Sequence, residues 1–219
     1  MTSANTSTAA SRTRPSDKRT AILHAARKVF GRDGFARAGI DVIAAEAGAS
    51  TRTLYNHFDG KEALFTETVT ASASEVAEAQ IAMLDRHLAA ETDLEAALVG
   101  LGFDLVTSSV RDEFADHFAI VRQISVEAAH FPAASLRAWQ EAGPRRVHRA
   151  VAAGFERLQA EGRLRVAQPE RTARHYLALI NAEVADRTAV DGTPPADADL
   201  RAGVADGVHA FLVGYLPRA

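Results

Sequence analysis

Between Gly39 and Leu64 the chain reads GIDVIAAEAGASTRTLYNHFDGKEAL, and this stretch restricts the possible fold more than any other. Ile40 to Ala47 carries apolar residues at helical spacing and stops at Gly48, the residue type that most readily ends a helix. Ser50 then stands where a helix N-cap is wanted, and Thr51 to His57 continues as a second short helix. Leu54 and Phe58 are four apart on one face and are expected to pack on Ile43 and Phe30 as core. Two short helices joined by a Gly-containing turn form a helix-turn-helix unit.

The rest of the chain follows the helical period. Ile22, Ala25, Ala26, Val29 and Phe30 mark a first helix closed by Gly31 and Gly34, and Asp59 is placed to cap a long fourth helix from Gly60 to about Leu88. Further helices are expected at Leu94 to Ser109, Phe114 to His130, Ser135 to Gly162, Pro169 to Val190 and Leu200 to Leu216, about nine in all. The fold class is therefore all-α. Residues 1 to 15, rich in Ser, Thr and Ala, are expected to form a disordered arm. Residues 16 to 62 form a small head and residues 63 to 219 a larger helical body.

Composition removes several classes of function. There is no cysteine, hence no disulfide, thiolate metal site or cysteine nucleophile. No signal-peptide segment and no membrane-spanning apolar run is present, so a soluble, cytoplasmic protein with no membrane partner is expected. The net charge of −3 conceals an asymmetry: Arg12 to Lys61 holds ten Arg and Lys against five acids, whereas the other residues hold 15 against 23. A basic head on an acidic body suggests that the head meets a polyanion.

Gly34-Phe35, Ile43-Ala44, Ala47-Gly48, Ser50, Thr53-Leu54-Tyr55, His57-Phe58, Lys61 and Leu64 stand in the register of the TetR family's N-terminal signature, and this segment resembles that family. The resemblance covers about 50 residues; the later helices match only in number and length. It implies a dimeric transcriptional regulator, with a repressor role foremost, that binds a palindromic operator in double-stranded DNA and is released by a small-molecule effector.

On a recognition helix, Thr51, Arg52, Thr53, Tyr55 and Asn56 occupy the helix start and the face opposite the core. Arg52 suits a bidentate pair with guanine or a phosphate contact, and Asn56 suits adenine. The resemblance makes Tyr55, His57 and Lys61 phosphate contacts, with a capping or packing role as the other reading of His57. Gly39 departs from the family, which commonly has Thr or Ser there, and leaves only a backbone N–H for DNA. Ser50 completes the DNA-binding set.

In the body, Met83, Phe103, Phe114, Phe118, Val121, Phe131, Trp139 and Phe155 are either core or the lining of the cavity that the resemblance implies. Gly203, Gly207, Ala210 and Gly214 form a small-residue stripe on the last helix. That stripe, with Tyr176 and Ile180, is expected at a dimer contact, packing within one subunit being the alternative. Glu113/His117 and Glu127/His130 have helical metal-site spacing but no second pair to join, so no metal and no cofactor is expected. Nucleophile elbows, phosphate loops and glycine fingerprints are missing, which argues against an enzyme. A constitutive or architectural DNA-binding protein without a ligand is the competing reading.

Overall fold

A computed structural model of the chain describes residues 15–89, 93–109, 112–128, 131–191 and 196–217. Residues 1–14, which hold most of the expected arm, and His130 of the Glu127/His130 pair lie outside the described residues. The described residues form an all-α fold. Its helices are α1 (Pro15–Arg37), α2 (Ile40–Glu46), α3 (Thr51–Tyr55), α4 (Lys61–Leu88), α5 (Leu94–Ser108), α6 (Ala115–Glu127), α7 (Ala133–Ala142), α8 (Pro144–Ala160), α9 (Pro169–Asp191) and α10 (Asp197–Tyr215). A 3-10 turn, Asp112–Phe114, leads into α6.

Three expectations about boundaries need correction. The first helix does not close at Gly31; it runs to Arg37 with its break at Gly34, whose backbone is left-handed. Gly31 stays helical because α6 lies against it, so close that a Cβ at Gly31 would be 3.0 Å from the Ala119 methyl. The single helix expected from Ser135 to Gly162 is two helices, divided at Gly143-Pro144. Proline at the first helical position starts α8, and Gly143 fits where its missing side chain lets Ala73 of α4 approach. Lastly, α4 is capped by Gly60, not by the Asp59 side chain.

Two apolar clusters fill the interior. The first joins Ile22, Val29 and Phe30 of α1, Ile43 and Ala44 of α2, Leu54, Phe58, and Leu64, Phe65 and Val69 of α4. It also takes Ile120 and Ile124 from α6 and Phe131, so the head shares its core with elements of the body. The second is built from α4, α5, α8, α9 and α10 around Leu98, Leu101, Phe155, Tyr176 and Phe211. Helix α4 belongs to both: 28 residues at 1.5 Å per residue give about 42 Å, enough to reach from head to body.

Several buried polar groups inside the body have partners. Thr68 and Thr107 donate to carbonyls one turn back. The buried Tyr176 hydroxyl donates to the Leu98 carbonyl at 2.8 Å, and burial raises its pKa above the ordinary phenol range. Among the described residues no helix is long and apolar enough to cross a membrane.

Candidate functional site

The turn between α2 and α3 is set by backbone chemistry. Gly48 is left-handed, its N–H donates to the Ala45 carbonyl, and the Ala49 N–H donates to Ala44, which closes α2 as a Schellman motif. Lys18 of α1 donates from Nζ to the Gly48 carbonyl at 3.0 Å and fixes the turn from below. The Ser50 Oγ accepts the Thr53 N–H at 3.1 Å as N-cap of α3. Leu54 and Phe58 are buried with Ile43 and Phe30, as their spacing implies.

Burying that face turns the other outward. Thr51, Arg52, Tyr55 and Asn56 are exposed, Tyr55 to 56% despite its large ring. Thr53 and His57 are half-buried, and the Thr53 hydroxyl lies 2.9 Å from that of Ser50. Arg52 makes no ion pair among the described residues. A five-residue helix presenting Arg, Thr and Tyr over an apolar underside, with Asn56 at its C-cap, is suited to a groove lined by acceptors and phosphates.

Lys61, expected as a phosphate contact, is held by the head itself. Its Nζ donates to the Ala36 carbonyl at 3.0 Å and lies 5.0 Å over the Phe35 ring. Burial lowers its pKa from the ordinary lysine value. Two of its three N–H donors remain for a phosphate. At Gly39 the Asp41 carboxylate takes the room a Ser or Thr side chain would use, 2.5 Å from where a Cβ would stand. An anion in the first turn of α2 is favourable in itself.

The second site is a half-open cavity of about 290 Å³ lined by residues from α4 to α9. Of the aromatic and apolar candidates, Phe118, Val121 and Trp139 line it, whereas Phe155 packs between Tyr176 and Phe211 in the core. Phe103 is also core, with the Arg201 guanidinium 4.0 Å from its ring, and Phe131 stacks near Phe65 in the head cluster. Met83 and Phe114 border a separate cleft of about 110 Å³ beside Asp104. Helical periodicity identifies an inward face and does not say where that face meets a void. Sequence reasoning missed the polar lining: Gln80, Ser109, His117, His148 and Asn181. A His among the apolar residues Phe114, Phe118, Ile120 and Val121 was the available signal.

His117 is buried and its Nδ1 lies 2.9 Å from the Ser72 Oγ. Burial, with a smaller contribution from Arg27, pushes its pKa down to about 4. Its sequence neighbour Glu113 is exposed, so the i, i+4 pair does not converge on a metal.

The stripe on α10 divides. Gly207 is buried against α9, where a Cβ would lie 2.6 Å from the Leu179 carbonyl oxygen. Tyr176 and Ile180 are likewise interior to the subunit, which removes all three from any outer surface. Gly203 is half-buried, while Ala210 and Gly214 are exposed and nothing stands within 4 Å of a Cβ at Gly214.

Comparison with known proteins settles the family. Residues 22–68 match the model of the bacterial regulatory proteins of the tetR family. Residues 96–217, more than half of the chain, match that of the AefR-like transcriptional repressor C-terminal domain. The chain belongs to the TetR family.

Solved structures of regulators agree in fold. A protein from Mesorhizobium loti described as a TetR-family transcriptional regulator superposes with a TM-score of 0.83 at 27% identity, over 94% of this chain and 100% of that one. The Flavonoid-responsive Regulator FrrA gives 0.70 at 27% identity, over 93% and 100%. A transcriptional regulator from Saccharomonospora viridis in complex with choline gives 0.69 at 20% identity, over 93% and 100%, a likeness of fold alone. No protein of curated function matches the chain by sequence.

Proposed function

We propose that this TetR regulator is a repressor that binds a palindromic operator as a homodimer and is released when a small molecule enters the cavity. The observation that carries the proposal is the course of α4. Its first turn holds Lys61 beside the candidate DNA-binding face, and its middle supplies Ala73, Val76, Ala77 and Gln80 to the cavity wall. Anything that shifts α4 in the wall moves the ground on which α3 stands. Residues 16 to 62 would act as the reader and residues 63 to 219 as the sensor.

Within the reader, Arg52 and Asn56 are the candidates for base contacts, with Thr51 and Thr53 beside them. Tyr55, His57 and Lys61 anchor the helix to phosphates, and the N–H groups at Ser50 and Gly39 complete the set. The proposed dimer surface is the outer side of α9 and α10, where Ala178, Ala182, Ala210 and Gly214 are small and exposed and Val213 is 75% exposed. Close approach of a second copy suits such a surface, and two-fold pairing of heads matches two half-sites one helical turn apart. Regulators of this fold include one described as flavonoid-responsive and one seen with choline, which supports a ligand role for the cavity. The protein acts in the cytoplasm, where the operator is.

Release follows from differential binding: a ligand preferring the subunit arrangement whose heads no longer fit successive major grooves lowers operator affinity by that preference. The test is an operator titration with and without compounds that raise the melting temperature of the purified protein. At least one such compound should weaken operator binding; stabilising compounds that all leave the affinity untouched would contradict a sensor.

A further inference from the structure

We propose that the cavity selects a small, uncharged molecule carrying a hydrogen-bond acceptor, held by the indole N–H of Trp139. This deepens the sensor reading above and rests on it. Size comes first: about 290 Å³ lies at the lower end of the roughly 300 to 1,000 Å³ typical of small-molecule sites. Its walls are largely apolar, with Val76, Leu105, Phe118 and Val121 among them.

The polar groups in the wall are neutral. Trp139 lines the cavity, and its Nε1 is buried without a partner among the described residues. A buried donor of this kind is stabilised by any acceptor that reaches it, and it can only donate. Gln80 donates from Nε2 to the Ser108 Oγ at 3.0 Å, which leaves its carbonyl oxygen free to accept. His117 is occupied at Nδ1 by Ser72, leaving Nε2. Burial keeps His117 uncharged at neutral pH and also lowers the pKa of His148, against the opposing pull of Glu170.

An anion entering such a wall would be desolvated against uncharged donors, and no carboxylate stands among the described lining residues to pair with a cation. A ketone, phenol ether or ester of modest size meets the wall on its own terms.

A matched set of four probes tests this on the full-length protein by isothermal titration calorimetry: acetophenone, ethylbenzene, benzoate and benzyltrimethylammonium. Acetophenone should bind about tenfold more tightly than either charged probe and several-fold more tightly than ethylbenzene. Trp139→Phe, which removes the N–H and keeps a ring, should bring acetophenone down to the affinity of ethylbenzene and leave ethylbenzene unchanged. The comparison of acetophenone with ethylbenzene on the wild-type protein carries the same test should that variant fail to fold. Equal binding of those two, or preference for benzoate or the ammonium, overturns the ligand class. If a charged probe binds and also weakens operator affinity, the sensor reading stands while the class falls; if none of the four binds at millimolar concentration, the cavity is not a ligand site and both fall.

Discussion

The Ser72 Oγ lies 2.9 Å from the His117 Nδ1, and through this bond α4 and α6 are joined inside the wall of the cavity. Both residues are buried, and His117 stays neutral in the fold down to a pH of about 4. In the unfolded chain it takes a proton near its ordinary value of 6.5. The folded state therefore binds fewer protons between these values, and the His117 contribution to stability falls as pH drops from 6.5 toward 4 and changes no further below that. The loss attributable to His117 is roughly 3 kcal/mol. Urea unfolding at a series of pH values should show this slope, and the His117→Asn variant should lack it.

Arg52 and Lys61 should fail in different ways when removed. Arg52→Ala relaxes base preference at one operator position at a cost of about 1 to 3 kcal/mol if it pairs with guanine, whereas Lys61→Ala weakens all sequences alike and lowers the salt slope by about one. Because Lys61 also holds Ala36 and covers Phe35, its removal costs the head about 1 kcal/mol of stability as well. Binding isotherms at several salt concentrations, paired with thermal melts, separate the two effects.

The glycines of α10 make opposite predictions. Gly207→Ala places a methyl against the Leu179 carbonyl and should destabilise the subunit by roughly 1 to 3 kcal/mol as α10 is pushed from α9. Gly214→Ala meets open space within the subunit, so its helix-propensity gain of up to about 1 kcal/mol is unopposed there. Val213→Asp should shift the protein from dimer to monomer in sedimentation velocity without unfolding it, since that side chain has no interior role.

Gly31 is one of the places where α1 of the head packs on α6 of the cavity wall. Gly31→Val should force these helices apart, because a Cβ already stands 3.0 Å from Ala119 and 3.2 Å from the Asp116 carbonyl oxygen. A smaller difference in operator affinity with and without ligand, measured on the folded variant, is the expected outcome.

What could be read from the sequence depended on whether the responsible interaction was local. The turn at Gly48, the Ser50 cap and the Leu54/Phe58 face were legible because each depends on residues within one or two helical turns. The division of α7 from α8 at Gly143-Pro144 had a local signal too, but the flanking residues keep helical spacing and hide it. Tyr176, Ile180 and Gly207 were expected on the dimer face and are internal, since a stripe of small or apolar residues reports a neighbour without saying whose. Phe103 and Phe155 differ from Phe118 only in what the distant chain brings opposite them. Lys61 is held by Ala36 and Phe35, some 25 residues away, a contact no periodicity reveals.

Selection of bound duplexes from a random pool, carried out with the wild-type protein and with Arg52→Ala, bears most directly on the claim that α3 reads DNA in a two-fold pair. The recovered sites should be inverted repeats, with base preference lost at one symmetric position in each half-site for the variant. Recovery of single unpaired half-sites, or of pools with no sequence preference, would contradict it.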